Sequence, residues 1–122
     1  MTVKQKTLKG LLLDTTTQKA AIVEIEDSLE SFYERLHCST IDIVDAKIGD
    51  DIYSVVCDDE AAIRDIPQVV SFVSRRRILI NSIFICKCNS EGELISVSGE
   101  DEKNLVDHVL TVSGQTIVQA VA

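Results

Sequence analysis

A chain of 122 residues with 45% apolar side chains is long enough to bury one core and too short for two domains. Twelve basic against twenty acidic residues give a formal net charge of −8 and a pI near 4.6, which disfavours direct binding to nucleic acid or an anionic membrane and attracts basic partners. No apolar run approaches the roughly 18 residues that cross a bilayer, and MTVKQKTLKG lacks the apolar core of a secretory leader, so a cytoplasmic protein with four cysteine thiols is expected.

In KGLLLDTTTQKAAIVEIE two apolar runs flank Asp14 to Lys19, a polar stretch suited to a turn. This predicts a β-hairpin of residues 9–13 and 20–26. In EDSLESFYERLHC, Leu29, Phe32, Tyr33 and Leu36 fall at i, i+3, i+4 and i+7, one face of a helix. Asp27 followed by Glu30 fits a reciprocal cap at its start. TIDIVDAKIGDDIYSVVCDD alternates and turns at IGDDI, predicting a second hairpin of residues 40–48 and 52–57. A third is expected from RILINSIFICKCN and ELISVS, joined by a reversal at Asn89 to Gly92.

Between the second and third hairpins lies EAAIRDIPQVVSFVSRRR, residues 60–77. Ile66, Val69, Val70 and Val73 have helical spacing with Asp65 as a cap, whereas their β-branched side chains favour a strand. Pro67 is tolerated near a helix start and hard to place in a central strand, so the reading is a short helix or irregular crossover. GEDEKNLVDHVLTVS is read as the last helix, capped by Ser98, ended by Gly114 and burying Leu105, Val106, Val109 and Leu110. The apolar tail, residues 115–122, is an added strand, a contact with a second copy in a homo-oligomer, or a frayed end. The order ββαββ(α)ββα indicates one α+β domain, a mostly antiparallel sheet of three hairpins with two or three helices packed on one face.

The phrases LLLDTTTQKAAIVEIE, LESFYERLHCSTIDIVDAKIGDDIYSVVCDDE and INSIFICKCNSEGELISVSGED carry a resemblance. Over about residues 8–110 the chain resembles a family of small proteins carried by bacteriophages and conjugative elements, domain of unknown function 3846. The resemblance implies a fold and a mobile-element setting, and no active site to carry over. It departs from the family's pattern in DDEAAIRDIPQVVSFVSRRR, which lacks the glycine-containing turn expected there. Such a setting implies a bacterial host cytoplasm and an anti-CRISPR-like inhibitor of a host defence enzyme.

Two charged clusters are candidate sites. Asp42, Asp45, Asp50, Asp51, Asp58, Asp59 and Glu60 stand against Lys47 alone within residues 42–60, a net −6 of the chain's −8. Spaced along two adjacent strands they could imitate a phosphate track and occupy the basic groove of a nuclease or CRISPR effector. The bland reading is solvated turns. Arg75, Arg76 and Arg77 form the basic cluster, suited to an anionic, nucleotide-like ligand or to pairing with the acidic hairpin.

The other chemistry-bearing residues point away from catalysis. Three carboxylates in a row at Asp58, Asp59 and Glu60 fan apart and chelate poorly. Cys86 and Cys88 share a strand face with Phe84 and read as small apolar groups, and whether His37, Cys38 and Cys57 meet them is open. His108 has no nucleophile or oxyanion donors placed beside it by the sequence. The expectation is a non-enzymatic binding protein with no metal and no cofactor. A nucleotide-sequestering protein and an accessory oligomer are the alternatives.

Overall fold

The computed structural model describes residues 6–63 and 68–120. The first hairpin is β1 (Thr7–Asp14) and β2 (Lys19–Glu26), paired in register from Thr7 opposite Glu26 to Asp14 opposite Lys19. Helix α1 (Leu29–Leu36) follows, and then the second hairpin, β3 (Ile41–Ile48) and β4 (Asp51–Asp58), with Ile48 opposite Asp51. The reversal between them is Gly49 and Asp50, with Gly49 at φ +64°, a conformation L side chains rarely adopt.

A single 3₁₀ turn, Ala61–Ile63, leaves β4. Past the undescribed residues come β5 (Val70–Val73), β6 (Ile78–Ile80), β7 (Ile83–Cys88) and β8 (Leu94–Ile95). Helix α2 (Gly99–Asp107) and a last hairpin, β9 (Val109–Val112) and β10 (Gln115–Gln119), complete the described chain.

Two sheets result. The larger runs β2-β1-β7-β4-β3, with β8 paired to the end of β7, and its pairings are all antiparallel. The smaller runs β6-β5-β10-β9 and contains one parallel pairing, Val118 opposite Phe72 between β10 and β5. Strand β7 is central, and its run Ile83 to Cys86 is wholly buried because both of its faces are covered.

The strand pleat sorts those faces. Leu11, Leu13, Val55, Ile83 and Ile85 project toward the smaller sheet, meeting Phe72 and Val118, and toward α2, meeting Leu105. Leu8, Leu12, Val56, Phe84 and Cys86 project the other way onto Phe32 and Leu36 of α1. Gly10 lies on that second face, where a Cβ would collide with the Ile85 carbonyl and come within 2.7 Å of the Phe84 ring.

An α+β fold, mostly antiparallel, is therefore what the chain adopts, but its described residues form ten strands in two sheets where the sequence reading expects one sheet of three hairpins, and further departures follow. The helices cover opposite faces of the main sheet, so the core has two halves. RILINSIFICKCN is not one strand: it breaks at Asn81, at φ +63°, and Asn81–Ser82 carry the chain from the smaller sheet to the larger. Residues 70–73 are a strand, because their β-branched side chains pair with β6 and β10; the Asp65 cap, Ile66 and Pro67 lie outside the described residues. The last helix stops at Asp107, where Val109, Thr111 and Val112 begin a strand and Gly114, at φ +81°, makes its turn. Leu105 is buried there, while Val106 and Leu110 are exposed.

The caps follow local rules. Ser28, not Asp27, caps α1, its hydroxyl accepting from the Ser31 N–H at 3.2 Å. Ser98 caps α2 as read, with Asp101 completing the reciprocal box. The tail is an added strand: β10 lies between β5 and β9.

Candidate functional site

The seven acidic residues do not share a face. In β3, Asp42 falls with Val44, Ala46 and Ile48 on the side of the smaller sheet, and Asp45 falls on the opposite side. In β4, Asp51 shares the side of Tyr53, Val55 and Cys57, whereas Asp58 shares that of Val56. Asp50 and Asp51 sit at the hairpin turn, and Asp58, Asp59 and Glu60 sit at the far end, about 23 Å away at the usual strand rise of about 3.3 Å per residue.

Asp58 is 7% exposed and accepts from the Glu60 N–H at 3.0 Å. At that end Asp42, Asp59 and Glu60 remain accessible, and Glu60 accepts from the Thr40 hydroxyl at 3.3 Å. Sequence proximity had suggested one track; the pleat and the length of the strands divide it.

The arginines stand differently. Arg75, Arg76 and Arg77 occupy the turn between β5 and β6, which Ser74 shapes: its N–H donates to the Arg77 carbonyl at 2.9 Å, and its hydroxyl accepts from the Arg76 and Arg77 N–H groups at 3.4 and 3.2 Å. The turn faces the outer edge of the main sheet, and the groove between them has a volume of about 620 Å³. Lys47, Ala46, Asp45 and Ile52 form the opposite wall, with Ile52 68% exposed.

Four cationic side chains thus line one groove beside a single carboxylate. Among the described residues none of the four is ion-paired; the ion pairs lie elsewhere, at Lys6–Asp27, Lys9–Glu102, His37–Asp14 and Lys87–Asp101. Pairing of the arginines with the acidic hairpin, one expectation from the sequence, does not occur. Lys47, Ser74 and Ile52 were not singled out by sequence reasoning, although a serine before three arginines is a recognisable hydroxyl-stabilised turn.

The thiols lie apart. Cys57 is on the face of the smaller sheet, Cys86 is buried on the α1 face with Cys38 packed against that cluster, and Cys88 is exposed. Burial pushes the Cys57 thiol up to about 11, helped by Asp42 and Asp59, and burial pushes Cys86 up to about 12. Both are neutral small groups in the core. Among the described residues no three His, Cys, Asp or Glu side chains are grouped to hold a metal ion. His108 caps α2, its Nδ1 donating to the Asn104 carbonyl at 2.7 Å.

His37 does have a partner. It ends α1 at φ 55°, and its Nε2 lies 3.5 Å from Asp14 Oδ1, to which the Ser82 hydroxyl donates at 3.5 Å. The aspartate stands between the serine and the histidine, whereas nucleophilic activation requires the histidine in the middle. The trio orders a surface; it does not arm Ser82.

A family model described as a domain of unknown function, DUF3846, matches residues 8–110. The chain belongs to that family. The match to DUF3846 begins at the second residue of β1 and ends inside β9, so the arginine turn and both walls of the groove fall within the family's domain. No curated protein and no solved structure matches the chain. No helix of this DUF3846 domain, among the described residues, is long and apolar enough to cross a membrane.

Proposed function

We propose that this chain is a non-enzymatic binding protein that holds a phosphate-bearing small molecule, of the nucleotide kind, between Arg75–Arg77 and the edge of β3. One observation carries the reading: four cationic side chains, none ion-paired among the described residues, line a groove of about 620 Å³ in a protein of net charge −8. Guanidinium groups match phosphate oxygens in a two-pronged geometry, and three of them on one turn suit a ligand with more than one phosphate. The volume is in the range of about 300–1,000 Å³ typical of small-molecule sites. Exposed Ile52 supplies an apolar surface for the uncharged part of the ligand.

Thermal shift of the full chain against nucleoside mono-, di- and triphosphates and inorganic pyrophosphate tests this. A ligand at about 100 times its Kd stabilises the fold by about 2.7 kcal/mol. Stabilisation should grow with phosphate number and shrink with added salt. No shift with any member contradicts the proposal.

A second reading keeps the acidic residues as a protein-binding surface, in smaller form. The accessible carboxylates Asp42, Asp59 and Glu60 gather at one end of the second hairpin, and a mobile-element inhibitor of a host nucleic-acid enzyme could place that end in a basic groove. Neutralising the three and measuring capture of CRISPR effectors and other defence nucleases across salt concentrations separates the readings, since the arginine variants would leave such capture unchanged.

A further inference from the structure

The outer strands of the two sheets differ in how they meet solvent. The main sheet ends at β2, which carries Lys19, Glu24 and Glu26, and at β3, which carries Asp42, Asp45 and Lys47. The smaller sheet ends at β6, three residues long and directly preceded by Arg75, Arg76 and Arg77, and at β9. Charged side chains are the usual guard of an open edge against pairing with a further strand. Strand β9, Val109 to Val112, and the Ser113–Gly114 turn after it carry none.

That edge is open. Strand β9 pairs with β10 on one side and with no other strand among the described residues. The Gln119 N–H donates to the His108 carbonyl at 2.8 Å, and the turn at Ser113 and Gly114, both at positive φ, closes on Val112 and Gln115. In an antiparallel ladder of that phase Leu110 and Val112 bond inward to β10, and Val109 and Thr111 turn their N–H and C=O groups outward. Leu110 and Val112 are 40% and 50% exposed, on the face opposite Val109, which packs against the core between the sheets.

We propose that β9 pairs antiparallel with β9 of a second copy about a two-fold axis at Leu110, joining the two smaller sheets into one continuous sheet. The ladder phase sets the register. Val109 of each copy exchanges hydrogen bonds with Thr111 of the other, and Leu110 meets its own copy in the non-bonded pair between them, where side chains come closest. Charge selects the occupant. A chain of net −8 repels its copy over most of its surface, and self-pairing at β2 or β3 would bring further charged side chains into the contact. Self-pairing at β9 sets apolar side chains against one another. An extended segment of a basic partner, which the net charge would attract, finds no carboxylate on β9 to meet. The contact uses one edge of each copy and closes on itself, so it yields a dimer and not a fibre.

Sedimentation equilibrium of the full chain across concentration tests this, the mass rising from 13.4 kDa toward twice that value. Amide hydrogen exchange reads the register. The Val109 and Thr111 amides should be protected in the dimer and exchange freely on dilution, while those of Leu110 and Val112 stay protected by β10 at both concentrations. Leu110→Lys should raise the dimer dissociation constant at least about tenfold, because two lysines then face each other across the axis. Leu110→Glu should do the same, and an equimolar mixture of the two variants should recover the dimer. Circular dichroism checks that each variant is folded. Ile43→Lys, at an exposed position of the β3 edge, should leave the mass unchanged. Replacing Arg75, Arg76 and Arg77 with Gln should also leave it unchanged, so the dimer stands or falls apart from the phosphate site. A 13.4 kDa species at every concentration up to about 1 mM overturns the proposal, even if an extended peptide of another protein protects the Val109 and Thr111 amides. So does a dimer in which those amides exchange freely, or one that folded Leu110→Lys forms as tightly as wild type.

Discussion

The Tyr53 hydroxyl donates a 3.0 Å hydrogen bond to the Asp101 carboxylate, and through that bond the second helix is fastened to the main sheet. Asn104, one turn further on, donates to the same hydroxyl and to the Ile48 carbonyl, both at 2.9 Å. Lys87 reaches Asp101 at 3.1 Å and lies 5.2 Å from the centre of the Tyr53 ring. Each polar group in this network has a partner, as burial demands.

This network gives the fold an acid-sensitive joint. Burial pushes the Asp101 carboxyl up, but the Ser98 N–H, Lys87, the Ser98 hydroxyl and Tyr53 together outweigh burial and hold it below the ordinary carboxylate range. Its folded pKa is below its unfolded one, so its contribution is present above the unfolded value of 3.8 and is lost as pH falls through the lower folded value. Asp101→Asn should cost about 2 kcal/mol at pH 7. Urea unfolding from pH 7 to pH 3 should show that gap closing below about pH 4.

Gly10→Ala tests the close approach of β1 to β7. The added methyl meets the Ile85 carbonyl and the Phe84 ring in a sheet that is paired on both sides of β1. The expected loss is about 1–3 kcal/mol, measured by denaturant midpoint.

Removing residues 115–122 should unfold the smaller sheet rather than trim a tail. Strand β10 is paired on both sides, and Val118 is fully buried against Phe72. Circular dichroism and thermal melting of a chain ending at Gly114 should show a large loss of cooperative folding.

The thiols should react in order of exposure. Cys88 should be modified at once by a thiol reagent, and Cys86 and Cys57 only after unfolding. Because burial raises both buried thiols above the ordinary value of 9.0, the folded state holds more protons than the unfolded one above about pH 9. Stability should therefore fall as pH rises from 9 toward 11, and less steeply in Cys86→Ala than in wild type.

Local patterns made part of this fold legible. The i, i+3, i+4, i+7 spacing of Leu29 to Leu36 and the alternation of β3 needed no tertiary information. The helical spacing of Leu105, Val106, Val109 and Leu110 predicts a longer last helix than the one that forms, because the β-branched Val109, Thr111 and Val112 before Gly114 favour a strand. The change of sheet at Asn81 and the parallel pairing of β5 with β10 depend on contacts between distant segments. The candidate sites divide in the same way. Three consecutive arginines are visible in any reading, but Lys47 and Ile52 join them only once β3 and the arginine turn are brought together. A second hollow, lined by Thr15, Leu36, Asp58, Val69 and Asn81 among others, draws on five separate segments and leaves no local trace.

The central claim is that Arg75, Arg76 and Arg77 receive phosphate. Its most direct measurement is the calorimetric affinity of the nucleotide that gives the largest thermal shift, for wild type and for the chain with all three arginines replaced by Gln. A loss of at least about tenfold per charge-assisted contact, with a weaker salt dependence in the variant, is the predicted result. Equal affinities and equal salt slopes in the two proteins would contradict it.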